Sequence, residues 1–260
     1  MNSRALKQVI EVIETSRTFL VTAHINLEGD ALGSELAMYG ILTRLGKKAV
    51  VYNNDKTPQT YEFLPYSKVI KNEMPDKRFD AAIVVDCSDA DRTGKVKDYL
   101  RNAERIVNID HHISNTMFGD VNLVDPKASS ASQVLYKLCD RLKIMDKKIA
   151  TCLYTGIFTD TGKFTYGNTS QETHWVVSRL MKYGIAPEKI NERIYSRCSP
   201  GGINFIGKVL SSLRYDKEKR ICWALIGQWQ EQAYDLTEVL FSMMRLLDGV
   251  EVFILFKKIA

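Results

Sequence analysis

Three short apolar runs in this chain each stop on a residue that is costly to bury: Phe19 to Ala23 gives way to His24, Ala81 to Val85 to Asp86, and Ile106 to Ile109 to Asp110. Runs this short and almost entirely apolar, the second of them wholly so, predict strands covered on both faces. Ala49 to Tyr52 predicts another. Between and after them come stretches with apolar residues at helical spacing, Leu6 to Ile13, Ala31 to Leu45, Ser130 to Leu142 and Lys147 to Phe158, the second stopping at Gly46. The alternation predicts an α/β fold, a parallel sheet covered by helices on both faces. In such a sheet ligands bind beyond the carboxyl ends of the strands. His24, Asp86 and Asp110 are expected there.

The remainder of the chain reads differently. Gln171 to Ser196 is helical in pattern, with Pro187 placed to open a second helix after the Tyr183–Gly184 break. The SPGG stretch, Ser199 to Gly202, is the most linker-like in the sequence. Beyond it, Leu210 to Tyr215 and Ile221 to Ile226 predict a hairpin around Asp216 to Arg220, and Val250 to Phe256 predicts a late strand. A boundary near residues 190 to 205 is expected, giving a first domain of residues 1–195 and, after a linker, an incomplete smaller α+β domain of residues 196–260.

With 45% of 260 residues hydrophobic, the chain can bury a substantial core. The first sixteen residues, MNSRALKQVIEVIETS, are amphipathic, and nowhere do eighteen apolar residues follow one another, so neither signal peptide nor membrane span is expected. Cys87, Cys139, Cys152, Cys198 and Cys222 are odd in number and contain no CxxC pair. This argues against a disulfide framework or a thiolate zinc site and fits a reducing cytoplasm. The net charge of +5 favours an anionic partner only weakly.

Four segments collect nearly all the chemistry: HINLEGDALGS from His24, VVDCSD from Val84, IDHHISN from Ile109 and TDTGKF from Thr159. His24, Glu28 and Asp30 crowd an imidazole and two carboxylates into one loop at a strand end, where burying acids without a cation is expensive. Mixed carboxylate and imidazole ligands suit manganese, or iron or cobalt, better than zinc held by thiolates or calcium held by oxygens alone. Each residue also has an ordinary reading: His24 as a core histidine, Asp30 as the cap of the helix from Ala31, and Asp86 and Asp160 as caps of a turn and a helix end. Asp110, His111 and His112 are harder to read that way, since adjacent histidines leaving a buried strand point in different directions. Tyr166, Trp175 and Trp229 are read as core, with base stacking as the alternative.

In order and wording the four segments resemble the DHH phosphoesterase superfamily, whose signature is the IDHH stretch, and within it the branch of oligoribonucleases and 3′-phosphoadenosine 5′-phosphate phosphatases. The resemblance covers about residues 5 to 200. It implies that His24, Glu28 and Asp86 hold one Mn2+ and that Asp30, Asp86, His111 and Asp160 hold a second, with Asp86 bridging; Mg2+, Co2+ or Fe2+ are the alternatives. His112 and Asp86 are then the catalytic pair, His112 facing the substrate phosphate while Asp110 orients a histidine from behind. Ser114 and Asn115 are candidate contacts to phosphate or to their loop, and Arg92, in DADRTG, is a candidate phosphate contact. Leu27-Glu28 stands where the family has Pro-Asp, so one ligand is a methylene longer.

The activity implied is hydrolysis without a covalent enzyme intermediate, on short RNA or DNA oligonucleotides or on small nucleotides, by a cytoplasmic protein, with a homodimer as one option for its assembly. Alternatives within the superfamily are a pyrophosphatase, a single-strand DNA exonuclease, against which the length argues, or a cyclic-dinucleotide phosphodiesterase. From another class, the alternative is a nucleotide-binding regulatory protein that has lost turnover. The family's second domain carries a glycine-rich GGGH stretch that this sequence lacks.

Overall fold

The structure is a computed structural model and describes residues 3–73, 77–195, 198–227 and 236–257. Contacts divide the chain into two compact units, Met1–Pro187 and Glu188–Ala260. The sequence pattern sets its boundary a few residues later, at 195/196.

In the first unit, helix α1 (Ser3–Thr15) leads into strand β1 (Thr18–Thr22), then α2 (Gly29–Arg44), β2 (Lys48–Tyr52), the two-residue β3 (Ile70–Lys71) and β4 (Phe79–Val85). A 3-10 segment, Ala90–Val96, runs into the short α3 (Lys97–Leu100), followed by β5 (Ala103–Asp110), β6 (Val121–Val124), α4 (Ala131–Leu142), α5 (Lys147–Asp160) and α6 (Gln171–Met181). The six strands form one sheet in the order β3-β2-β1-β4-β5-β6, every pair parallel. The expected helices and strands are present. The edge strands β3 and β6 are additions, too short to leave a pattern in the sequence.

From β1 the chain moves one way across the sheet to β2, and from β4 it moves the other way to β5. Right-handed crossovers therefore place α2 and α3 on opposite faces. On one face Leu20, Ala82 and Val84 pack with Tyr52, Val96 and Leu100. Their neighbours Phe19, Val21, Ala81, Ile83 and Val85 are equally buried and, by the two-residue period of a strand, point to the other. This is why these runs carry no polar alternation. Between β1 and β4 the direction of travel reverses, and a crevice opens there at the carboxyl ends of the strands.

Helices α2 and α5 lie against each other unusually closely, because glycine faces glycine. A Cβ on Gly33 would stand 2.5 Å from the Cys152 carbonyl oxygen and 3.0 Å from the Gly156 nitrogen, and one on Gly156 would stand 2.5 Å from Asp30 Oδ1. Gly46 ends α2 as expected, with φ 72° and its N–H donating to the Thr43 carbonyl.

The second unit holds α7 (Pro187–Tyr195, from Glu188 onward), α8 (Pro200–Ser211), β7 (Arg214–Asp216), β8 (Ile221–Ile226), α9 (Thr237–Met244) and β9 (Val252–Lys257). β7 and β8 form an antiparallel hairpin, and β9 pairs parallel to β8. Cys222, Ala224 and Ile226 of β8 are buried, and the last two pack with Ile206, Val209, Leu236 and Leu240.

Three sequence expectations are corrected by the structure. SPGG is no linker: Ser199 caps α8, its hydroxyl accepting from the Gly202 N–H at 3.0 Å, and Pro200 occupies the first helical turn, where its missing N–H costs nothing. The first hairpin arm does not begin at Leu210, which belongs to α8. Ile206, Val209 and Leu210 recur at helical spacing, and only Arg214–Asp216 is strand. Trp175 is 54% exposed, with its ring edge-on to Tyr136 and Arg179 stacked over it, rather than core. Trp229 lies outside the described residues.

Candidate metal centre

His24, Asp86 and Asp110 leave β1, β4 and β5 at the same sheet edge, and loops and helix ends bring the other candidates to them. The β1–α2 loop is tied down by its neighbours: the Ile25 N–H donates to the Arg92 carbonyl at 2.7 Å, and the Asn26 N–H donates to Asp55 Oδ2 at 2.6 Å. Asp86 has φ 51°, a left-handed conformation uncommon outside glycine though more accessible to aspartate than to most residues, and its N–H still continues the sheet by donating to the Ile109 carbonyl.

Asp86 lies between the imidazoles. Its Oδ2 is 3.4 Å from His24 Nε2, and its Oδ1 is 3.5 Å from His111 Nε2. Glu28 Oε1 stands 3.7 Å from His24 Nε2, and Asp30 Oδ2 and Asp160 Oδ2 stand 3.9 and 3.7 Å from His111 Nε2. The groups His24, Glu28, Asp86 and Asp30, His111, Asp160 each bring ligand atoms within 4.8 Å of one another, as do Asp86, Asp110, His111 and His112. His24 Nε2 and Asp86 Oδ1 are buried and have no hydrogen-bond partner. Burying such atoms unpaired is costly, and a cation between nitrogen and carboxylate donors removes that cost. The donor set therefore fits metal ions.

Electrostatics point the same way. Burial by itself would lower the pKa of both ligand histidines, yet the adjacent Asp86 carboxylate and the other acids around them outweigh it, raising His24 to about 9 and His111 to about 10. Burial likewise works to raise Asp86, but the His111 and His24 imidazoles bring it down to about 2. Asp30 is pushed up to about 6, by burial first and the Asp86 charge second; Asp160 is pushed up to about 8, by burial and then the Asp30 charge. Carboxylates that raise one another's pKa in a shared pocket are short of positive charge.

Asp30 does not cap its own helix. Its Oδ2 accepts from the Ala131 N–H at 2.6 Å and its Oδ1 from the Ser132 N–H at 3.0 Å, so it satisfies the first turn of α4, about a hundred residues away. Ser34 Oγ donates to Oδ1 as well. Asp160 is the last residue of α5, and Gly156 one turn earlier lets that helix approach Asp30.

Behind the cluster, Asp110 is fully buried and its Oδ1 is 2.7 Å from His112 Nδ1. Ser114 is exposed. Arg92 Nη1 lies 3.4 Å from Ser88 Oγ, beside the turn that follows Asp86. Of the two roles expected for Asn115, contact to phosphate or to its loop, the structure shows the second. Its Nδ2 donates to Asp110 Oδ2 at 2.5 Å and to Asn108 Oδ1 at 2.8 Å, while its Oδ1 accepts from the Met117 N–H. With both polar ends engaged in the loop, no atom is left for a phosphate. Asn108, one of its partners, is invisible to sequence reasoning because a polar residue inside an apolar strand gives no clue to what it bonds.

Comparison with known proteins fits this arrangement. The chain is 31% identical over 213 residues to the bifunctional oligoribonuclease and PAP phosphatase NrnA of Thermus thermophilus, and 26% identical over 192 residues to the Bacillus subtilis protein of that name. These alignments take in 82% and 72% of this chain, but the chain spans only 63% and 60% of those relatives. In fold, it superposes on an exopolyphosphatase-related protein from Bacteroides fragilis with a TM-score of 0.88 at 23% identity, covering 98% of this chain and 80% of that one. A putative family II inorganic pyrophosphatase from Methanococcus jannaschii gives 0.53 at 17% identity, covering 92% and 83%. Residues 18–157, which include the strand ends and loops that carry every cluster residue except Asp160, match the DHH family, N-terminal domain, and the chain belongs to that family.

Proposed function

We propose that this chain is a phosphoesterase whose cluster holds two divalent cations, Mn2+ by preference, and that it hydrolyses short oligonucleotides or 3′-phosphoadenosine 5′-phosphate in the cytoplasm. The observation that carries the reading is the position of Asp86, with one oxygen toward His24 and the other toward His111. In this reading His24, Glu28 and Asp86 hold one cation, and Asp30, Asp86, His111 and Asp160 hold the other. The names of the Thermus and Bacillus relatives support the substrate class. The five cysteines, none in a disulfide, agree with a reducing compartment. No helix among the described residues is long and apolar enough to cross a membrane.

When bound, such a pair of cations supplies Lewis acidity and a water ionised nearer neutral pH. The protein's part is positional. Ala131 and Ser132 fix Asp30 through their amides, and the left-handed backbone at Asp86 aims its carboxylate between the two histidines. His112, with Nδ1 directed at Asp110, turns its other ring nitrogen to the substrate phosphate, where a positioned donor is usually worth a few kcal/mol. Ser114 and Arg92 are the remaining candidates for phosphate contact.

The test is turnover of a 5′-phosphorylated diribonucleotide and of 3′-phosphoadenosine 5′-phosphate, by the purified chain stripped with chelator and then titrated with Mn2+. Two equivalents of metal are expected to restore activity, and Asp86→Asn to abolish both uptake and turnover. Unchanged activity in Asp86→Asn, or none from the wild type on either substrate despite bound metal, overturns the reading; tight nucleotide binding without turnover would point to the regulatory alternative.

A further inference from the structure

Asp110 belongs by distance to a group of possible ligands, yet neither of its oxygens is open. Oδ1 faces His112 Nδ1 at 2.7 Å and Oδ2 accepts from Asn115 Nδ2 at 2.5 Å, in a side chain with no solvent exposure. Asn115 is itself held. Its Nδ2 also donates to Asn108 Oδ1 at 2.8 Å, and it lies 3.3 Å from the Cys87 carbonyl. Asn108 is fully buried in β5 and donates from Nδ2 to the carbonyls of Cys87, at 3.0 Å, and Val84, at 3.3 Å, both on the β4 side. Two amides thus join the carboxyl ends of β4 and β5 and fix the carboxylate between them.

We infer that Asn108 and Asn115 are positioning residues which, by holding Asp110, set the tautomer and ring orientation of His112. The inference rests on the proposed phosphoesterase reading for what His112 does, though not for its geometry. An ionised carboxylate at 2.7 Å requires the hydrogen to be on Nδ1, so the ring offers Nε2 alone to whatever lies in front of it. A carboxylate free to rotate would turn Oδ1 away and release the ring to the opposite tautomer. The amide of Asn115 prevents that rotation by holding the second oxygen. It also keeps Asp110 from joining the metal ligands, because an oxygen already receiving a strong charge-assisted hydrogen bond is a poor competitor for a cation. The sequence pattern leaves Asn115 open between phosphate and its loop, and in the fold it acts through Asp110.

The experiment uses Asn115→Ala and His112→Ala, singly and together, with four readouts: kcat, KM, Mn2+ stoichiometry, and the 15N shifts of the His112 ring. With four histidines in the chain, the ring signals can be assigned by substitution. Asn115→Ala is expected to lower kcat about 10- to 100-fold, the usual range for a residue supporting a site from behind, with KM and metal stoichiometry within about twofold. Measured at a pH high enough to keep the ring neutral, the two ring nitrogens of His112, well separated in shift in the wild type, should converge as the tautomers mix. Added to His112→Ala, the same change should cost less than about threefold, since the residue it serves is gone. An unchanged tautomer in Asn115→Ala, additive losses in the double variant, or metal loss in parallel with kcat overturns the inference. Should Asn115→Ala fail to fold, the shifts of the wild type and of Asp110→Asn decide the matter: the wild-type ring must show hydrogen on Nδ1, and Asp110→Asn must change it. The ring measurement needs no substrate, so a chain without turnover would refute the functional reading and leave this inference to be judged separately.

Discussion

Beyond the ends of β1 and β4, His24 Nε2 and Asp86 Oδ1 are buried without hydrogen-bond partners, whereas at the end of β5 Asp110 has both oxygens occupied and Asn115 has both polar ends engaged. The same sheet edge therefore contains two kinds of polar construction. Open atoms grouped with neighbouring carboxylates are places for a cation, because only a cation satisfies several donors at once. Closed networks hold shape and offer nothing to a ligand. A third place lies between these cases. Glu35 is fully buried, one oxygen accepts from Asn53 Nδ2 at 2.8 Å, and the other, like Asn53 Oδ1, has no partner. It is open, but without a group of ligands around it.

Breaking the open side should have the largest effect. His24→Ala removes one of the two proposed cations, and turnover should fall on the order of 10^3-fold, about 4 kcal/mol of transition-state stabilisation. Calorimetric titration should then find one Mn2+ instead of two. A variant that keeps both would show that the open nitrogen is not a ligand.

Glu35 sharpens the comparison by asking whether an open buried carboxyl implies a cation. Burial raises its pKa from 4.5 to about 8, against the lowering effects of Asn53 and His24, so in the folded chain it keeps its proton where the unfolded chain has lost it. Between those two values the unfolded state ionises first, and stability declines as pH rises through that window. Glu35→Gln should reduce this slope, leaving the share owed to Asp30 and Asp160, which are raised in the same direction. In chelator, denaturant unfolding should show the variant equal to wild type near pH 4 and more stable by on the order of 4 kcal/mol near pH 9. A wild type with no decline in that window would mean that Glu35 is ionised and matched by a cation.

A smaller effect is expected where the two helices that carry Asp30 and Asp160 cross. Gly33→Ala pushes a methyl into the Cys152 carbonyl, a collision with backbone that cannot swing aside, and should destabilise by about 1–3 kcal/mol. The shift in denaturation midpoint measures it, and a neutral result would show that α2 and α5 can separate without harm. Smallest of all, Glu28→Asp restores the carboxylate usual in the family and should change Mn2+ affinity at the His24 position by about tenfold, roughly 1.4 kcal/mol. If affinity stays the same, the extra methylene is without consequence at this loop.

The strands β1, β4 and β5 are legible in the sequence because burial on both faces leaves a run that is almost entirely apolar. The site loops are legible because an ionisable residue directly after such a run must sit at the carboxyl edge of the sheet, where it is costly to bury unless something charged meets it. The SPGG stretch misleads because glycine and proline mark both a linker and the first turn of a helix, and what separates the two is the Ser199 hydroxyl meeting the Gly202 N–H. β3 and β6 leave no trace because strands of two and four residues exist only through the neighbours they pair with.

By itself the sequence determined the alternation that builds the parallel sheet and which acids and imidazoles stand at its carboxyl edge, since both follow from the order of apolar and polar residues along the chain. Only the tertiary structure decided which of those groups stay open and which are closed. Asp30 meets the α4 amides, Asn115 meets Asp110, and Asn108 meets the Val84 and Cys87 carbonyls, across separations of up to about a hundred residues. Satisfying a buried polar atom requires a partner at hydrogen-bond distance, and that distance is set by packing rather than by spacing along the chain.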